Sequence, residues 1–218
     1  MKERILRIVD GRTVAIILPG CSLAILERSI PLLQKDYCWC GLNKFWVAES
    51  LILQRIHKEF SLLFGVADHF FDQRFERLFV QKFLPRESDN LFITKKQNGY
   101  RIADELLEKY PDKVVLADKT LKGGNSLQNL LVMLDEIGIK KVVLFGADGY
   151  SDTDEAYYRA DLYFNLDFNR LSNGHKRDTT EFNKIFPKLG MQVLNCSPDS
   201  HYDVFEKITF KQLLRSEV

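Results

Sequence analysis

The 218-residue chain is short of cysteine, with four, and of proline, methionine and tryptophan, with six, three and two. Four thiols in a chain of this length are too few for a disulfide framework. Cys21, Cys38, Cys40 and Cys196 also lack the paired C-x-x-C spacing of a zinc knuckle. No apolar run approaches the roughly 20 residues needed to cross a bilayer. An excess of one charge is missing too: 31 Lys and Arg stand against 30 Asp and Glu, a formal net charge of +1. Domains that live on phosphate backbones usually carry a basic excess, so no nucleic-acid partner is expected. There is no internal repeat, low-complexity tract or Pro/Gly/Ser-rich linker. Met1 to Gly11 is broken by charges and has no signal-peptide core. Together these absences lead us to expect a cytoplasmic protein with reduced thiols.

What is present is ordinary for a globular protein, 45% hydrophobic and 28% charged residues. The length fits a single domain over residues 1–218. Short apolar runs alternate with helical patterns, which predicts an α/β domain with a mostly parallel central sheet flanked by helices. Strands are expected at Thr13–Leu18, Tyr37–Leu42, Phe60–Ala67, Leu91–Thr94, Val114–Ala117, Lys141–Phe145 and Met191–Asn195. Helices are expected from Ser22 to about Leu33, and over Glu49–Lys58, Ile102–Lys109, Ser126–Ile137, Asp178–Lys188 and Thr209–Arg215. TVAIIL at Thr13–Leu18 is wholly apolar, the mark of a central strand buried on both faces.

Ligands collect at the carboxyl ends of strands in such a sheet, and several of these ends carry polar or flexible residues. Pro19-Gly20-Cys21-Ser22 joins a strand to a helix and is open to two readings, a phosphate loop or a plain tight turn. Lys122-Gly123-Gly124-Asn125-Ser126 precedes a helix and divides in the same way, between a ligand loop and a simple helix cap. Asp148, at the next strand end, suits a ribose, a metal or the backbone of a neighbouring loop. Four histidines stand as bases by their pKa range. His57 lies among charged residues and His69 after a strand end. His175 is expected in a flexible loop, Ser172-Asn173-Gly174-His175, and His201 in a turn-rich one. Cys38 and Cys40 alternate along a strand and read as core.

Taken in order, PGCSL (Pro19–Leu23), LNKF (Leu42–Phe45), GNS with its helix (Gly124–Ile137), GADGY (Gly146–Tyr150), the SNGH loop and LNCSPDS (Leu194–Ser200) resemble the bacterial sialyltransferases that make lipooligosaccharide. They also resemble the related 6-hydroxymethylpterin diphosphokinase (MptE-like) domains. The likeness spans most of residues 13–200 and is weakest between about 46 and 115. It implies a Rossmann-like, nucleotide-binding domain. The first loop departs from the family's G-x-G-P-S-L, reading Leu18-Pro19-Gly20-Cys21-Ser22.

The sialyltransferase resemblance implies a glycosyltransferase-like enzyme of surface polysaccharide and lipopolysaccharide synthesis. It would move a sugar, of the sialic-acid (nonulosonic) type, from a cytidine monophosphate donor to a saccharide acceptor. Gly20, Cys21, Ser22 and Asn43 would hold the nucleotide phosphate and ribose, with Gly124, Asn125 and Ser126 on the other side. Tyr150 and Tyr157 would hydrogen-bond the departing phosphate, and His175 would deprotonate the acceptor. Asn195, Ser197, Pro198 and Ser200 would line the cytosine pocket. No cofactor is required on this reading. The diphosphokinase alternative would use ATP with Mg²⁺ held by Asp148 and Asp68. A third alternative is a catalytically silent nucleotide-binding module. A lipid-linked acceptor would allow peripheral membrane contact, although no basic amphipathic helix supports it; homo-oligomerisation stays open.

Overall fold

The computed structural model describes residues 1–29, 32–33, 35–42, 49, 52–66, 82–95, 102–117, 125–150 and 168–216, leaving out the side chains of 25, 66, 95, 102–103 and 168–175. The strands are β1 Val14–Ile17, β2 Cys38–Leu42, β3 Leu62–Val66, β4 Leu91–Lys95, β5 Val114–Leu116, β6 Lys141–Phe145, β7 Gln192–Asn195 and β8 Glu206–Lys207. The helices are α1 Lys2–Val9, α2 Leu23–Ser29, α3 Ile102–Lys109, α4 Ser126–Glu136, α5 Phe168–Ile185 and α6 Phe210–Ser216. Eight strands form one sheet in the order β5-β4-β3-β2-β1-β6-β7-β8. Every neighbouring pair is parallel. The expected α/β architecture is therefore present, with a sheet parallel throughout.

The sheet is parallel because its strands are apolar on both sides and each must be covered twice. Val14, Ile16, Cys38, Cys40, Phe64, Ile93, Val142 and Leu144 face one layer, which holds Ile5 and Ile8 of α1, Leu130 and Leu134 of α4, and Phe182 of α5. Ala15, Ile17, Trp39, Leu63, Phe92, Val143 and Phe145 face the other, with Leu23 and Leu26 of α2, Leu106 of α3 and Leu213 of α6. Each fully buried aliphatic side chain contributes about 1.5–3 kcal/mol. Cys38 and Cys40 lie in this core as expected. Burial pushes the Cys38 thiol up to about 12 and the Cys40 thiol well up.

Met1 to Gly11, for which the sequence suggested no element, contains α1, whose Ile5, Ile8 and Val9 are buried at helical spacing while its charges stay on the other face. Three expected elements differ from those found. Of the helix expected over Glu49–Lys58, Glu49 is α-helical, but Leu53–Ile56 forms a 3-10 turn and Lys58 lies beyond it. The helix after Ser22 ends at Ser29 rather than near Leu33. The helix expected from Asp178 begins at Phe168, so Ser172–His175 is helical and not a loop. Gly174 costs a helix about 1 kcal/mol relative to Ala, and burial of Thr179 and Phe182 farther along the helix outweighs it. The short edge strand β8 had no apolar signal to announce it.

The sequence of connections matters for function. From β1 the chain works outward to β5, then returns through α4 to lay β6 on the other side of β1. Helix α2, which follows β1, covers one face, and α5, which follows β6, covers the other. Helices α2 and α5 thus lie on opposite faces, and the carboxyl ends of β1 and β6 form the switch point, where the ligand crevice of a doubly wound sheet usually lies. Among the described residues, no helix is long and apolar enough to cross a membrane.

Candidate functional site

The crest of the crevice is made by two close-packed loops. The β1 hydrogen-bond ladder continues past the strand, with Leu18 N–H donating to Phe145 O at 2.8 Å and Gly20 N–H to Gly146 O at 2.9 Å. Gly146 has φ +72°, and a Cβ there would lie 2.2 Å from Leu18 O. A Cβ on Gly20 would stand 2.6 Å from the Asp148 carboxyl carbon. Glycine is needed at both positions for close approach of one loop to the other.

Asp148 is the hub. One carboxylate oxygen accepts the Ser22 backbone N–H at 2.8 Å, and the other accepts the Ser22 hydroxyl. The Ser22 and Ser197 hydroxyl oxygens are 2.7 Å apart. A hydroxyl has one proton, so Ser197 donates to Ser22 and Ser22 donates to Asp148. Of the readings open for Asp148, contact with a neighbouring loop is the one observed. Ser22 stands just before α2, and its side chain serves Asp148. Leu23 N–H donates to Gly20 O and Ala24 N–H to Cys21 O, each at 3.1 Å. The amides of Gly20, Ser22, Leu23 and Ala24 are therefore all engaged within the protein, and the tight-turn reading of PGCS accounts for them.

The third loop, after β7, is held by buried polar groups. Asn195 donates to Ala147 O at 3.0 Å and accepts Ser197 N–H at 3.2 Å. The Ser200 hydroxyl donates to Ala147 O at 2.6 Å and accepts Tyr202 N–H at 3.1 Å. Asn195, Ser197 and Ser200 are all buried, so their polar atoms fasten this loop to the β6 loop; Pro198 is exposed beside them. His201 N–H donates to Asp148 O at 2.8 Å, and Asn183 of α5 donates to His201 O at 2.7 Å.

These bonds set Tyr150 against His201. Their rings stack with centroids 3.7 Å apart and planes 11° apart. The Lys176 ammonium lies over the Tyr150 ring, 5.3 Å from its centroid. Tyr150 and His201 are both half-buried. Asn125 caps α4, its side chain accepting Gln128 N–H at 2.9 Å. It is also joined to the third loop through Tyr202. Burial pushes the Tyr202 hydroxyl up to about 12, against hydrogen bonds with Thr179 and Asn125 that act the other way. Ser126 begins α4 beside it.

The structure thus gathers Gly20, Ser22, Asp148, Tyr150, Ser197 and Ser200 around one crevice, with Asn125 joined to its rim. Asn43, Gly124 and Tyr157, with Asp68 and His69, lie outside the described residues. His175 lies on α5, and its side chain is likewise outside them. His57 is exposed in a turn after the 3-10 helix. Sequence reasoning overlooked Lys176, Thr179 and Asn183. Their 3- and 4-residue spacing places them on one face of α5, a polar stripe visible once the helix is known to extend to Phe168.

The fold defines an α/β protein with a doubly wound parallel sheet whose switch point lies between β1 and β6. No protein-family model matches the chain, and neither a curated protein nor a solved structure matches it.

Proposed function

We propose that the chain is a nucleotide-dependent glycosyltransferase of the sialyltransferase-like kind, taking a sugar from a cytidine monophosphate donor to a saccharide acceptor. The observation that carries this reading is the Tyr150 cluster at the carboxyl end of β6. A phenol ring, an imidazole and an ammonium meet there at the position where doubly wound sheets receive nucleotides. In the transfer, the acceptor oxygen attacks the anomeric carbon and the bond from that carbon to the phosphate oxygen breaks. The acceptor proton passes to a base, and cytidine monophosphate leaves with the bonding pair. Charge grows on the departing phosphate, and a fixed hydroxyl donor with a nearby cation stabilises it. Through the resemblance the base is His175. The geometry favours weighing His201 beside it, since its ring is fixed by the stack on Tyr150.

The diphosphokinase alternative would place Mg²⁺ on Asp148. Each Asp148 oxygen accepts one bond from Ser22 and keeps a further lone pair, while Asp68, the second ligand of that reading, lies outside the described residues.

Thermal unfolding with a nucleotide panel tests the proposal. Cytidine monophosphate at 100 times its Kd should add about 2.7 kcal/mol of stability, equally with Mg²⁺ or chelator. With a donor sugar, Tyr150→Phe should lower kcat by roughly 10²-fold. No stabilisation by any nucleotide would sink the proposal; stabilisation only by ATP with Mg²⁺ would move it to the diphosphokinase.

A further inference from the structure

We propose that Asp148 makes the end of β1 a reader of paired hydroxyl groups, so that a ligand in the crevice offers its vicinal diol to this carboxylate and keeps any phosphate away from Ser22. The inference rests on the nucleotide reading only for the identity of the ligand. Its basis is a count of donors and acceptors. The loop a phosphate would need has its amides at Gly20, Ser22, Leu23 and Ala24 already bonded. A phosphate oxygen seeking the Ser22 amide would also meet the Asp148 oxygen that occupies it at 2.8 Å, negative against negative.

That carboxylate is fixed in place. Its backbone carbonyl accepts from His201 N–H, its side chain is wedged against Gly20, and the buried Ser197 directs the Ser22 proton toward it. Each carboxylate oxygen accepts one bond from Ser22 and offers a further lone pair. Asp148 is half-buried, so the residue keeps part of its surface open to a ligand. The Asp148 carboxylate itself accepts hydrogen bonds and donates none. Two adjacent hydroxyls of a ribose match it, each giving one proton to one oxygen. In dinucleotide-binding folds an acidic side chain about 20 residues beyond the first glycine-rich turn receives a ribose in this way; here the carboxylate comes from β6, across the switch point. A ligand so placed turns its phosphate toward Tyr150, His201 and Lys176.

The test follows the backbone amides of the full chain by NMR, titrating D-ribose and inorganic phosphate separately. D-Ribose should shift the Ser22 and Asp148 amides, and phosphate should leave them unmoved. In parallel, calorimetry should give cytidine monophosphate at least about tenfold tighter binding than its 2′-deoxy analogue. Asp148→Asn should bring that ratio within about threefold. A Ser22 amide that moves with phosphate, or fails to move with ribose, overturns the inference. So does a wild-type protein that binds the two nucleotides equally. If ribose shifts these amides and no nucleotide binds, the diol site stands and the nucleotide reading falls. If Asp148→Asn does not fold, the wild-type titrations decide alone.

Discussion

Gly146 packs its backbone against Leu18 at a distance no side chain tolerates. Alanine there would adopt φ +72° and press its methyl into a carbonyl oxygen, strain of about 3 kcal/mol. Gly11 has a similar φ of +71° but open space around it. Gly146→Ala should therefore lower the urea midpoint far more than Gly11→Ala, which should cost about 1 kcal/mol. Equal losses would mean the crest of the crevice yields. At this scale the sequence was partly legible. PGCS and GADGY stood out as loops after strands, and Asp148 was named with contact to a neighbouring loop among its readings. That Asp148 would cap the other loop was not readable, because residues 22 and 148 carry no local sign of meeting. The buried duty of Asn195, Ser197 and Ser200 was hidden for the same reason.

At the scale of elements the two ends of the sheet differ. The amino end is stapled by charge: Glu49 accepts from both terminal nitrogens of Arg86 and from Phe60 N–H at 2.6 Å. The two side chains are only 6% and 16% exposed. Beside them Lys113 donates to Arg86 O, Ser88 O and Asn90. Removing Arg86 strands a buried carboxylate, so Arg86→Ala should cost about 3–5 kcal/mol, while replacing both partners by apolar residues of similar size should cost far less. Denaturant unfolding of the single and double variants measures the difference. A single variant as stable as the double one would mean that water reaches Glu49. The central strands were legible because β1, β2 and β6 are apolar runs long enough to name. The helices were less so. Periodicity marks a buried stripe, but the ends of α1 and α5 are set by packing on the sheet, and the Ser-Asn-Gly signal inside α5 gives way to it.

For the molecule as a whole, burial governs the response to alkali. It pushes the Cys38 and Cys196 thiols up to about 12, the Cys40 thiol well up, and the Tyr202 hydroxyl up to about 12. Thiols and phenols of the unfolded chain ionise near 8.5 and 10. The folded state keeps these protons to higher pH than the unfolded state does. Their stabilising effect is complete below about pH 8.5 and is lost as pH rises toward 12. Urea midpoints should be flat between pH 7 and 8, and stability should fall by more than about 3 kcal/mol by pH 11. A level profile to pH 11 would show these groups reaching solvent in the native state. In the same way, a thiol reagent at pH 8 should modify Cys38 and Cys40 no faster than the protein unfolds.

The place of β1 in the sheet has a consequence for synthesis. Its two neighbours, β2 and β6, are made at very different times, since β6 begins at Lys141. At roughly 5–20 residues per second on the ribosome, β1 stands for several seconds with one edge bare. That edge is wholly apolar and its backbone groups are unpaired, which lets it recruit strands from other chains. A nascent chain halted before Lys141 should therefore aggregate where the finished chain does not, and the return of β6 to β1 is the step that ends the exposure.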